Sequence, residues 1–268
     1  MIQNHEIDYF LHGEEMQCVE IELDPQETVI AEAGSFMYMD NGIEMQTIFG
    51  DGSQTNSGLL GKILGAGKRL LVGESLFMTA FTNLGHGKKR VSFAAPYAGK
   101  IVPLNLAHLG GKIICQKDAF LCAAKGVSVG IEFQRKLGTG LFGGEGFIME
   151  KLEGDGMAFM HAGGYIIEKE LQAGESFRVD TGCIVGFTGS VDYDIQFVKG
   201  VKNAIFGGEG LFFAVLTGPG KVWMQSLPVS RLASRILSYA QPGGNRKGEG
   251  SILGGIGNLL DGDGYYNQ

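Results

Sequence analysis

One passage of this chain occurs more than once, and that constrains its fold more than any other feature. Phe142-Gly143-Gly144-Glu145-Gly146-Phe147-Ile148 returns 64 residues later as Phe206-Gly207-Gly208-Glu209-Gly210-Leu211-Phe212. The turn Gly154-Asp155-Gly156 returns at the same offset as Gly218-Pro219-Gly220. A single Gly-Gly-Glu-Gly would mean little, but two features that keep one offset mean duplication of a structural unit. Gly73-Glu74-Ser75-Leu76-Phe77, followed by Gly85-His86-Gly87, reads as an earlier and more divergent version.

The rest of the unit aligns as well. Cys18–Leu23, Ile101–Leu106 and Ile166–Leu171 each precede a turn and a short motif: Gly34-Ser35-Phe36-Met37, Asp118-Ala119-Phe120-Leu121 and Gly182-Cys183-Ile184-Val185. From that motif to the Gly-Glu pair is 26 residues in the second and third units and 39 in the first. The surplus falls in a Gly- and Ser-rich stretch near 51–68, where an insertion costs least. The chain therefore divides into repeat one (1–98, with an N-terminal strand and that insertion), repeat two (99–163), repeat three (164–227), a helix (228–242) and a Gly-rich tail (243–268) expected to be flexible.

Each unit reads as β structure. Apolar residues alternate with polar ones in Val19-Glu20-Ile21-Glu22-Leu23 and in Val191-Asp192-Tyr193-Asp194-Ile195-Gln196-Phe197, a period of two that turns one face inward. The Gly-x-Gly elements at 85–87, 154–156 and 218–220 separate apolar runs and signal hairpins. Gly at 45 residues against Pro at 6 suits many short strands joined by tight turns. The expected fold class is all-β: three tandem β-sandwich or short double-stranded β-helix repeats of five to seven strands, packed about a pseudo-threefold axis. Such small sheets leave edges that must be covered. Pro228–Ala240, with Leu232, Ile236 and Leu237 at helical spacing beside Arg231 and Arg235, is the one clear helix. Ser57–Leu71 is either a Gly-weakened helix or an apolar loop.

Charge and motifs exclude several functions. With 22 Lys and Arg against 29 Asp and Glu, a net charge of −7 opposes a bulk-charge grip on nucleic acid. The longest stretch without Asp, Glu, Lys or Arg is 13 residues, too short for a membrane span, and the start has no signal-peptide pattern, so a cytoplasmic protein is expected. Cys18, Cys115, Cys122 and Cys183 form no CxxC or zinc spacing and read as free, buried thiols. His5, His12, His86, His108 and His161 are scattered, and no nucleophile elbow, P-loop or zinc-protease motif occurs. The Gly-rich passage at 140–146 lacks the P-loop lysine and precedes a strand pattern rather than a helix. No catalytic residue, no cofactor and no enzymatic activity are assigned.

The recurring carboxylates Glu74, Glu145 and Glu209 are the sharpest polar feature. In the structural reading each, with its neighbour Gly73, Gly144 or Gly208, locks a Gly-rich corner through turn N–H groups. In the alternative, the weaker one, the three converge on a cation. Lys88-Lys89-Arg90 is the only basic cluster; it is not repeated, and reads as a solvated hairpin edge. Trp223 reads as a wedge between units or in a subunit contact. The helix reads as packing on a β surface or a subunit interface, with peripheral membrane association the weaker alternative.

Ala33–Met39, Gly73–Phe77, Gly99–Leu104, Phe206–Phe212 and Gly218–Pro228, in this order, resemble the uncharacterised family that includes the altered inheritance of mitochondria 24 protein. The resemblance covers about residues 5–240. It implies a fold like that of the tryptophan RNA-binding attenuation protein, present three times per chain. Units of that kind form rings, so three chains would close a ring of nine. The resemblance brings no catalytic residues. Three functions of different class follow: a non-enzymatic, homo-oligomeric ring that acts as a scaffold for a protein partner, with a trimer favoured; an RNA-binding ring by analogy of fold; and a binder of small ligands between repeats.

Overall fold

The computed structural model describes residues 5–49, 77–135, 147–197 and 212–240. An N-terminal strand, β1 (Asp8–His12), is followed by three successive sets of six strands. The first set is β2 (Cys18–Leu23), β3 (Thr28–Glu32), β4 (Phe36–Met39), β5 (Ile43–Phe49), β6 (Phe77–Asn83) and β7 (Lys89–Ala94). The second is β8 (Gly99–Asn105), β9 (Lys112–Gln116), β10 (Phe120–Ala124), β11 (Ser128–Arg135), β12 (Phe147–Glu153) and β13 (Met157–Gly163). The third is β14 (Ile166–Leu171), β15 (Ser176–Asp180), β16 (Ile184–Thr188), β17 (Asp192–Phe197), β18 (Phe212–Thr217) and β19 (Gly220–Gln225). One helix, α1 (Val229–Ala240), closes the described chain.

The strand order within the sheets is the same in each set. The first, sixth and third strands pair in that order: β2-β7-β4, β8-β13-β10 and β14-β19-β16. The fourth, fifth and second pair likewise: β5-β6-β3, β11-β12-β9 and β17-β18-β15. Even an irregularity recurs, since the pairing of third with sixth strand slips by one residue at Met37, Leu121 and Val185. Such a bulge bends the strand.

Sets join edge to edge. β3 pairs with β10, with Ala31 opposite Cys122, and β9 pairs with β16, with Cys115 opposite Gly186. Each junction fuses two three-stranded halves into one six-stranded antiparallel sheet. One more backbone bond extends each: Lys125 N–H to the Thr28 carbonyl at 3.0 Å, and Gly189 N–H to the Lys112 carbonyl at 2.9 Å. β10, Phe-Leu-Cys-Ala-Ala, and β16, Ile-Val-Gly-Phe-Thr, are buried throughout, as strands covered on both faces must be. Continuing the same rule would join β15 to β4, but each of these ends its own sheet.

Alternation places the core as expected. Val19, Ile21 and Leu23 of β2 are fully buried. Three apolar clusters follow the chain, and all three cross set boundaries. One unites Val19, Ile21, Phe81 and Phe93 with Leu121, Cys122 and Phe159. Another holds Leu104, Leu106, Ile113 and Met160 together with Val185 and Trp223. Gly154, just after β12, and Gly220, the first residue of β19, have φ of 149° and 143°, backbone that a side chain would strain. The expected hairpins at 85–87, 154–156 and 218–220 are not formed: these turns carry the chain from β6 to β7, β12 to β13 and β18 to β19, each time from one sheet to another.

Two expectations meet a different placement or fall outside the described chain. Lys89 and Arg90 belong to β7, which lies between β2 and β4 rather than at a sheet edge. The positive charges there answer β2: Lys88 Nζ reaches Glu22 at 2.8 Å and Asp8 at 3.3 Å, and Arg90 reaches Glu20 and Glu22, each at 3.0 Å. Cross-strand pairing, not solvation of an edge, accounts for the cluster. Gly73, Glu74, Gly144, Glu145, Gly208 and Glu209 lie outside the described residues, as do the stretch 57–71 and the tail 243–268.

Candidate functional site

The junction of the first and second sets carries the most unusual chemistry among the described residues. The corner at the end of β3 (Glu32, Ala33, Gly34, Ser35), the linker to the second set (Ala95, Pro96, Tyr97), the turn into β10 (Asp118, Phe120, Leu121) and His161 of β13 line a half-open cavity of about 320 Å³. Val229, the first residue of α1, lines it too. The chain builds this pocket where two units meet edge to edge, because β3 and β10 bring their following and preceding corners side by side. Pockets with apolar walls and a few convergent polar groups are the usual form of ligand sites.

Its polar groups differ in how they are satisfied: the Ser35 hydroxyl donates to the Glu32 carbonyl at 2.8 Å, whereas His161 has an unpaired nitrogen. His161 is 2% exposed, and its Nδ1 has no hydrogen-bond partner. The Tyr97 ring stands edge-on to the imidazole, centroids 4.6 Å apart at 87°. Burial lowers the His161 pKa to about 4, so the ring is neutral. Burial, and then the negative charge of Asp118, pushes the Glu32 carboxyl up to about 7, against an opposing pull from Lys117. Behind it Glu150 of β12, 2% exposed, is pushed up to about 8 by burial and then by Glu32, with Lys117 opposing. Burial and the charges of Asp118 and Glu32 take the Tyr97 hydroxyl up to about 12. Burial, with Glu150 and Glu32 nearby, holds the Cys115 thiol well above its ordinary pKa and hence un-ionised.

The second junction has the same construction with different side chains. Gln116 ends β9 as Glu32 ends β3, and Gln225 follows Met224 of β19 as His161 follows Met160 of β13. Gln116 Nε2 donates to the Thr181 carbonyl at 2.7 Å. Gln225 Nε2 donates to the Gly182 carbonyl at 3.0 Å, and its Oε1 accepts from the Gly163 N–H at 2.9 Å. Two carboxamides satisfy this corner internally. At the first junction a carboxyl and an imidazole replace them, and Asp118 takes the place corresponding to Gly182.

Among the described residues no group of three His, Cys, Asp or Glu side chains is arranged to hold a metal ion. Cys18, Cys115, Cys122 and Cys183 form no disulfide; Cys115 and Cys122 are buried and the other two half-buried. Trp223 is 3% exposed and donates its indole N–H to Glu168 at 3.0 Å. It packs in the cluster shared with the second set. Sequence reasoning passed over Glu32, Tyr97 and Glu150 and treated His161 only as one of five scattered histidines. The signal lay in aligned positions: Glu32 against Gln116, and His161 against Gln225.

α1 leaves the body of the sheets after its first turn. Val229 and Leu232 are half-buried, whereas Ile236, Leu237 and Tyr239 are 58%, 64% and 74% exposed. Arg231 binds Asp180, the last residue of β15, at 2.9 Å. No helix among the described residues is long and apolar enough to cross a membrane.

Comparison with known proteins places the whole β region in one family. The family described as Mitochondrial biogenesis AIM24 matches residues 9–227. An uncharacterised protein of Streptococcus pyogenes serotype M6 is 31% identical over 231 residues, covering 85% of this chain and 88% of its own length. A crystal structure of a Streptococcus pyogenes protein superposes with a TM-score of 0.67 at 23% identity, covering 87% of this chain and 100% of that one. At that identity the likeness concerns the fold.

Proposed function

The chain belongs to the Mitochondrial biogenesis AIM24 family, and we propose that it works as a non-enzymatic scaffold: three tandem modules about a threefold axis, assembled head to tail into a closed homotrimeric ring that presents its surface to a protein partner in the cytoplasm. One observation carries the reading. The strands that join sets inside the chain are always the second of one set and the third of the next, β3 with β10 and β9 with β16. The two strands left over in that scheme are β15 and β4, and both end their sheets.

The chemistry of these edges favours pairing. β4 exposes Phe36, Met37 and Tyr38 at 39%, 50% and 47%, an apolar edge that soluble proteins ordinarily guard with charge. Its neighbour β1 exposes Tyr9, Phe10 and Leu11 as well. A heterologous contact between β15 of one chain and β4 of the next covers this edge, and such contacts close into rings when the rotation permits. By the register of the internal junctions, Tyr38 lies opposite Val179. RNA is a poorer partner, because Lys88 and Arg90 already serve Asp8, Glu20 and Glu22.

The test uses two single variants of the full chain, Tyr38→Cys and Val179→Cys, mixed after unfolding and refolding together. Opposed residues of a strand pair stand about 4.5–5.5 Å apart, within reach of a disulfide. A cross-linked dimer that forms in the mixture and in neither variant alone is the expected result. No cross-link, or a dimer from one variant alone, overturns the head-to-tail ring.

A further inference from the structure

We propose that the cavity at the first junction binds a small organic ammonium ion, with Glu32 and Asp118 as its counter-charges and His161 Nδ1 as a hydrogen-bond acceptor. The comparison of the two junctions carries the argument. At the second, two side-chain NH₂ groups fill the corner and donate to the carbonyls of Thr181 and Gly182. At the first, both donors are gone. In their place stand the carboxyl of Glu32 and a buried imidazole nitrogen, His161 Nδ1, that has no partner among the described residues. A buried polar atom left unpaired is costly, and a ligand that satisfies it recovers that cost.

What the site lacks defines what it takes. Every polar side-chain group facing the cavity can accept a hydrogen bond, and two of them, Glu32 and Asp118, are acids. The missing element is a positively charged N–H donor. The remaining walls, Ala33, Ala95, Pro96, Phe120, Leu121 and Val229, suit a short alkyl portion attached to that nitrogen. Tyr97 presents a ring beside His161, a further favourable surface for a cation. The volume, about 320 Å³, lies at the lower end of ligand pockets and limits the occupant to a small molecule. Lys117 is the basic residue that acts on Glu32. The cavity is formed within one chain, so the proposal does not rest on ring assembly.

The probe is n-butylammonium, titrated calorimetrically into the full chain at concentrations up to about 10 mM, enough to detect a Kd in the millimolar range. 1-Butanol and butyrate, of the same alkyl length, are the controls. The expected result is one site per chain for the ammonium and none for the controls. The double variant Glu32→Gln/His161→Gln recreates the amide pair of the second junction. It is expected to fold, to keep the mass of the parent in light scattering, and to lose at least about tenfold in affinity, the scale of one charge-assisted hydrogen bond. His161→Gln alone is expected to weaken binding less than the double variant. Absence of binding by the ammonium, equal binding of butanol, or undiminished affinity in the double variant each overturns the assignment, whatever the oligomeric mass proves to be.

Discussion

Replacing Glu150 by Gln should stabilise the protein, and the gain should grow as the solution becomes more alkaline. Glu150 is 2% exposed on β12; burial first, and then the negative charge of Glu32, raises its pKa from 4.5 to about 8, with Lys117 as an opposing charge. Below about 4.5 the carboxyl is protonated in both folded and unfolded chains and contributes no pH dependence. Between the two values the unfolded chain has released the proton and the folded chain retains it. Stability therefore falls as pH rises, by about 1.4 kcal/mol per pH unit for one proton. Above about pH 8 the loss is complete, with a ceiling of about 5 kcal/mol from the span between the two pKa values. Gln has the shape of the protonated acid and no titration. Glu150→Gln should match the parent near pH 5 and exceed it by a few kcal/mol at pH 9. Urea unfolding at fixed protein concentration reports this, read from the fluorescence of the sole tryptophan, Trp223. The difference between the two proteins reports this carboxyl together with its coupling to Glu32 and Asp118, which are present in both. Stability curves that stay parallel from pH 5 to 9 would refute the reasoning.

Two further outcomes follow from the same packing. Phe159, fully buried in the cluster that ties the first set to the second, meets Tyr9 edge-on at 5.0 Å. Phe159→Ala should cost about 3–5 kcal/mol in urea unfolding, the usual price of an aromatic cavity in a close-packed core, and a loss below 1 kcal/mol would deny that the sets share a core. The imidazole of His161, with its pKa lowered to about 4 by burial, contributes stability that is fully present above its unfolded value of 6.5 and is lost as pH falls toward 4. Nitrogen-15 NMR of the labelled ring should show a neutral tautomer at pH 5.5; a doubly protonated ring at that pH would contradict the buried placement.

Strands were legible wherever one face meets water. Val19, Ile21 and Leu23 alternate with glutamates, and all three are buried in β2. The turns at 85–87, 154–156 and 218–220 were legible because Gly at a turn leaves a mark that survives changes in the flanking residues, but each joins strands of two different sheets and not the two arms of a hairpin, which no local spacing tells. β10 and β16 were harder to see as strands. Phe-Leu-Cys-Ala-Ala has no alternation because the strand is covered on both sides, so its pairing across to β3 left no periodic trace. The junction cavity was invisible for a different reason. Glu32, Tyr97, Asp118 and His161 come from four separate segments and are brought together by the edge-to-edge fusion of two sheets, a long-range event that no local spacing encodes. The basic trio was misplaced at an edge because nothing local tells that β7 is flanked by β2 and β4.

Light scattering coupled to size exclusion, at physiological salt and without a cross-linker, addresses edge closure between chains most directly. The account predicts a single species with three times the chain mass of 28.6 kDa. A mass equal to one chain, unchanged on raising the protein concentration, would leave the apolar edge of β4 uncovered and contradict it.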